Sequence, residues 1–151
     1  MLFVALILII SLHSFDCVFT AQETRDAERE CKKHCEGNNE YVTRYCGGLC
    51  SSNTGPQTFY CYLGCSHNAS TQDDFDKCLP KCNDRVQLTE ENCRDDCGRV
   101  TSHHELCGDV CGGNHGGSFP LCLYNCDQEH PREYERGYDK CKTKCYAMEG
   151  R

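Results

Sequence analysis

One spacing dominates the chain. The step C-x₃-C occurs eight times, at Cys31/Cys35, Cys46/Cys50, Cys61/Cys65, Cys78/Cys82, Cys93/Cys97, Cys107/Cys111, Cys122/Cys126 and Cys141/Cys145, and every cysteine after Cys17 belongs to one of them. Four residues are close to one helical turn, so both sulfurs of a step lie on one helix face. Their Cβ atoms then stand roughly 5–6 Å apart, wider than the roughly 3.5–4.5 Å of a disulfide. Each step must therefore bond to another step, and the pattern predicts short helices laced together in pairs.

The N-terminal residues predict an oxidising destination. Leu2 to Leu12 is an apolar run too short to span a bilayer and placed where a secretory leader carries its hydrophobic segment. Cleavage after Thr20, with Ala21 as the competing site, removes Cys17 and leaves an even sixteen cysteines. The expected division is a signal peptide at 1–20 followed by a secreted protein. After residue 20 there are seven Leu, four Val, three Phe and no Ile in 131 residues, far below the ~20% a globular core normally draws on. Cross-links must make up the difference. Only Asp16 is lost with the leader, so the mature net charge is −6. That sign disfavours nucleic acid and anionic membranes as partners, and no long apolar helix face offers membrane insertion.

Laid over one another, Cys31–Cys82 and Cys93–Cys145 repeat with offsets of 61 to 63 residues, and Asp76-Lys77-Cys78 returns as Asp139-Lys140-Cys141. Two four-helix units are expected, at 21–86 and 87–151, each closed by its own bridges. Helices are expected around every step: the first over about Glu23 to Glu36, the second weakened by Gly47-Gly48, the third opened by Thr58. Ser70 or Thr71 is expected to cap the fourth, and Pro80 to kink or end it. Thr89 signals the start of the fifth and Ser102-His103-His104-Glu105 reads as a capping box for the sixth. The seventh should begin at Ser118 and the eighth at Pro131. No β-alternation is present, so the class is all-α. The outer steps of each unit are mostly polar and the inner ones small or apolar, which places the inner helices inside.

The spacing resembles that of the α-hairpinins and of the kappa-type scorpion potassium-channel toxins, which carry two C-x₃-C steps on antiparallel helices. Their first cysteine bonds to the fourth and the second to the third. The resemblance implies Cys31–Cys50, Cys35–Cys46, Cys61–Cys82, Cys65–Cys78, Cys93–Cys111, Cys97–Cys107, Cys122–Cys145 and Cys126–Cys141. It covers residues 31–145, and this chain differs in having four such hairpins in tandem. A nested arrangement, joining helix two to three and one to four in each unit, fits the polar and apolar split as well.

Cysteine-histidine metal binding, at His34 beside Cys35 or His103-His104 near Cys107, competes poorly with disulfides in a secreted chain. No cofactor is implied. With every mature cysteine consumed by structure, no thiol nucleophile remains, and the acidic pairs lack the order of a calcium loop. The expectation is a binding protein of toxin or effector type acting without catalysis on an extracellular receptor or channel. The alternatives are a structural matrix, egg-coat or shell component and a host-defence protein. Tyr134, Tyr138 and Tyr146 beside Lys144 form the candidate binding face, with the Gly-rich loop 112–117 as the fallback. Asn68-Ala69-Ser70 permits glycosylation at Asn68. Glu149-Gly150-Arg151 could be trimmed and amidated.

Overall fold

The computed structural model describes residues 19–38, 40–113, 115, 117–132 and 136–149. The predicted leader, Cys17 and the terminal Gly150-Arg151 lie outside that set, so the leader and C-terminal processing expectations fall outside the described residues. Within the set the protein is all-α: α1 (Ala21–Asn38), a 3₁₀ turn (Thr43–Tyr45), α2 (Cys46–Leu49), α3 (Pro56–Asn68), α4 (Gln72–Cys82), α5 (Glu90–Val100), α6 (Glu105–Gly112), α7 (Ser118–Glu129) and α8 (Arg136–Glu149).

Eight disulfides join each helix to its chain neighbour: Cys31–Cys50 and Cys35–Cys46 in the first hairpin, Cys61–Cys82 and Cys65–Cys78 in the second, Cys93–Cys111 and Cys97–Cys107 in the third, Cys122–Cys145 and Cys126–Cys141 in the fourth. These are the pairings that the hairpin resemblance implies, and the nested arrangement is not formed. The two rungs of a hairpin stack: Cys65 Sγ is 3.6 Å from Cys82 Sγ, and Cys126 Sγ is 3.6 Å from Cys145 Sγ. Most of these sulfurs are buried, so cystine supplies bulk to the thin core as well as cross-links.

Two separately closed units are not what the packing gives. No described disulfide crosses from 21–86 to 87–151, but the helices do. α3 packs along α5, and α1 along α7. The first hairpin thus sits on the fourth and the second on the third. Hydrogen bonds cross the same seam: Asn125 Nδ2 donates to the Ala27 carbonyl at 3.0 Å, and Ser118 Oγ donates to Thr24 Oγ1 at 2.9 Å. Phe59 of α3 meets Tyr124 of α7 edge-on, ring centroids 4.9 Å apart. The physical reason is the shortage of aliphatic side chains. Neither half can bury enough surface alone, so the large side chains Phe59, Tyr60, Leu106, Phe119, Leu123 and Tyr124 are pooled in one core.

Close approach at the seams needs glycine at two points. A Cβ on Gly64 would stand 2.5 Å from Asp96 Oδ1, so α3 and α5 touch there without a side chain between them. Gly117 lies against the backbone of Ser52, in the connection between α2 and α3, and has no room for a Cβ.

The termini of several helices follow their capping residues. Thr71 and Thr89 accept hydrogen bonds from the amides of Asp74 and Asn92, as N-caps do. Pro80 neither ends α4 nor prevents it, since the helix continues to Cys82. The Thr58 start of the third helix is corrected to Pro56, whose missing amide costs nothing in a first turn. The capping box at residues 102–105 is also corrected: α6 begins at Glu105 after His104, with no side-chain cap. Ser102 and Thr101 are drawn instead toward a buried His–Asp pair. Pro131 is not helical, and α8 is described from Arg136; Glu133 and Glu135 lie outside the described residues.

Candidate functional site

The Tyr/Lys face expected on α8 does not form. Tyr138 is buried and stacked on the His103 ring at 3.5 Å between centroids. Tyr146 packs edge-on against Phe119, and its hydroxyl donates to Asp109 Oδ2. Lys144 is exposed, and Tyr134 lies outside the described residues. In a chain this poor in aliphatic residues, tyrosines are recruited to the core. Within the fallback loop, Gly112 and Gly113 are exposed and His115 turns inward. The His115 side chain is almost wholly covered, lies against Phe119 and sits 3.6 Å from Glu149, while Asn114 and Gly116 fall outside the described residues. Asn68 is the exposed last residue of α3, so the sequon is accessible.

Among the described residues, the constellation that looks most catalytic is sealed. His103 Nδ1 lies 2.8 Å from Asp127 Oδ1. Thr101 Oγ1 donates to the same carboxylate oxygen. Ser102 Oγ is 3.3 Å from Nδ1 as well. Serine and aspartate therefore meet the same ring nitrogen, whereas a relay needs them on opposite ones. Nε2 is buried with no hydrogen-bond partner among the described groups, and Tyr138 covers the ring. The arrangement ties the start of α6 to α7. The Tyr60 and Tyr138 hydroxyls nearby are likewise buried and unpartnered, and desolvation first of all raises both their pKa values well above the ordinary tyrosine range.

A second buried acid holds the other seam. Asp96 of α5 lies 3.0 Å from Arg99 and 3.5 Å from Lys81. Burial holds its carboxyl above the usual carboxylate range, although both cations pull the other way. Another set of polar side chains converges where α1, α7 and α8 meet. A cleft of about 210 Å³ there is lined by the polar side chains of Glu23, Asp26, Glu30, Asn125 and Glu129, with Lys144 the one cation, and by apolar residues and the Cys122 and Cys141 positions. Sequence reasoning missed this cleft. Its carboxylates come from helices of opposite halves, and only the packing of α1 on α7 brings them together.

The remaining surface is polar. Among the described residues, Val86 is the single large hydrophobic side chain that is widely exposed, at 77%. No described helix is long and apolar enough to cross a membrane. Eight disulfides in so short a chain are the construction of an oxidising environment. No protein-family model, curated protein or solved structure matches the chain.

Proposed function

We propose that this is a secreted, disulfide-stabilised binding protein of toxin or effector type, which acts by occupying an extracellular target without catalysis and without entering membranes. The observation that carries the reading is the distribution of chemistry. Every described cysteine is bridged and the His103–Asp127 pair is covered, whereas most charged residues are spread over the outside of a cross-linked frame. Two rigid hairpin pairs present those charges at little cost in conformational entropy. Asp73, Asp74 and Asp76 on α4, with Glu90, Glu91 and Asp95 on α5, are all exposed. An acidic surface of this kind suits a basic patch on a receptor or on the outer mouth of a channel. The likeness of the single hairpin to kappa-type channel toxins and α-hairpinins adds weight to the same target class, although the buried Tyr138 and the inward-packed Tyr146 remove the aromatic-and-lysine face from the argument.

The test is to record receptor and channel currents, and binding to intact cells, with the oxidised protein and with the reduced, alkylated one. The proposal expects a saturable effect that weakens as salt is raised and disappears on reduction. An effect that survives reduction, leakage from lipid vesicles at the same concentrations, or turnover of a substrate would each overturn it.

A further inference from the structure

The seam between α1 and α7 carries donors that the binding role leaves unused. Glu30 and His34 are four residues apart on α1 and so share a helix face; Asn125 and Glu129 are four apart on α7 and share another. α1 packs along α7, and one carboxylate oxygen each from Glu30 and Glu129 and one ring nitrogen of His34 all lie within 4.8 Å of one another. His34 Nε2 is buried with no hydrogen-bond partner among the described groups. Asn125 supplies an independent sign. It is only 8% exposed, and donation from its Nδ2 to the Ala27 carbonyl fixes the amide orientation. That leaves Oδ1 buried with no hydrogen-bond partner among the described groups, on a residue that lines the same cleft as Glu30 and Glu129. Acceptors predominate around this space, since Glu23 and Asp26 stand beside it and Lys144 is its one cation. Glu30 does have basic neighbours, Lys33 at 3.5 Å and Arg29 at 3.8 Å, but both cations are largely solvent-exposed and their pairing is long.

We propose that Glu30, His34 and Glu129 bind one divalent transition-metal ion. Two carboxylates and an imidazole suit an ion of intermediate softness such as Zn²⁺ better than Ca²⁺ or Mg²⁺, which favour all-oxygen sites. Three protein donors leave a further position for water or for an oxygen of a bound partner. The ion would also do something that the disulfides do not. All eight bridges lie within hairpins, whereas this site joins the first hairpin to the fourth. Metal would clamp the seam that holds the two halves together.

The test is calorimetric titration of the secreted protein with Zn²⁺, paired with two-dimensional NMR of the histidine rings and hydrogen exchange. One equivalent of Zn²⁺ is expected to bind, to shift the His34 ring signals and to slow amide exchange in α1 and α7. His34→Ala and Glu129→Gln should each weaken binding at least about tenfold, since losing a ligand costs no less than losing one of its supporting partners. Glu91→Gln, on α5, should leave it unchanged. Glu129 is exposed, so its substitution does not threaten folding and keeps the test decisive if His34→Ala fails to fold. Zinc binding that persists in Glu129→Gln, equal affinity for Ca²⁺, or unmoved His34 signals would overturn the proposal.

Discussion

Replacing Gly64 by alanine tests whether the two halves meet where the structure puts them. In an ordinary helix interior the change is favourable by about 1 kcal/mol, because alanine loses less backbone entropy. Here the added methyl would lie 2.5 Å from Asp96 Oδ1, 2.8 Å from its Cγ and 2.9 Å from its Cβ, all inside van der Waals contact. Asp96 cannot simply swing away, because it is held by Arg99 at 3.0 Å and Lys81 at 3.5 Å and its side chain is covered. Overpacking of this kind costs about 1–3 kcal/mol. After subtraction of the propensity gain, the variant should be destabilised by up to about 2 kcal/mol. Removing the obstruction should reverse the sign: in an Asp96→Gly background, Gly64→Ala should stabilise by about 1 kcal/mol. Lys81 and Arg99 are both partly exposed and regain water when Asp96 is lost. Urea unfolding followed by circular dichroism, with disulfides intact, gives all four corners of the cycle. A Gly64→Ala protein that is more stable by the full propensity gain, or a cycle with no coupling, would mean that α3 and α5 do not touch at Gly64 and Asp96.

Further expectations follow from individual groups. Tyr60→Phe should stabilise the protein by about 1 kcal/mol in chemical denaturation, because it removes a buried hydroxyl that has no partner. The raised pKa values of Tyr60 and Tyr138 mean that the folded state holds these protons more tightly than the unfolded chain. Their contribution is therefore complete below about pH 10 and is lost as pH rises above it; phenolate absorbance should show both ionising only together with unfolding. Asp96 has the same sign at lower pH: its carboxyl is raised by burial, so its ionisation works against folding as pH climbs through its folded pKa. Asp96→Asn should flatten that part of the stability profile measured by thermal unfolding. Replacing Cys31 and Cys50 together by alanine should cost about 2–3 kcal/mol. That is less than a lone 19-residue loop implies, because Cys35–Cys46 already closes 11 of those residues.

The hairpins were legible because C-x₃-C spacing is a geometric statement: it fixes the helix face and forbids bonding within a step. Thr71 and Thr89 were legible as caps for the same reason, since a local hydrogen bond needs only the right side chain beside the right amide. The assembly of the hairpins was not. Gly64 fits against Asp96 and Asn125 reaches Ala27 through contacts between residues far apart in the chain, and the internal repeat pointed toward two units instead of one shared core. Ser102 misled because a hydroxyl three residues before a glutamate has the pattern of a capping box, yet His103 and Asp127 offered it buried partners. Tyr138 and Tyr146 misled because a helix that carries tyrosines and lysines together looks like a presented face, while the thin core claimed the rings. Of the metal-binding cluster, Glu30 and His34 carry a visible four-residue spacing, but Glu129 joins them only once α1 lies on α7.

The direct test of one shared body is to cut the connection between the halves. Asp84 to Gln87 is exposed and joins the second hairpin to the third, and no described disulfide spans it. A site-specific protease sequence inserted after Arg85 would be cleaved in the folded, oxidised protein, and the product run on a non-denaturing sizing column and then in urea. The packing of α3 on α5 and α1 on α7 predicts that the two fragments stay together at the size of the intact protein until urea separates them. Fragments that part without denaturant, each still helical and individually stable, would show two independent units and would contradict the shared core.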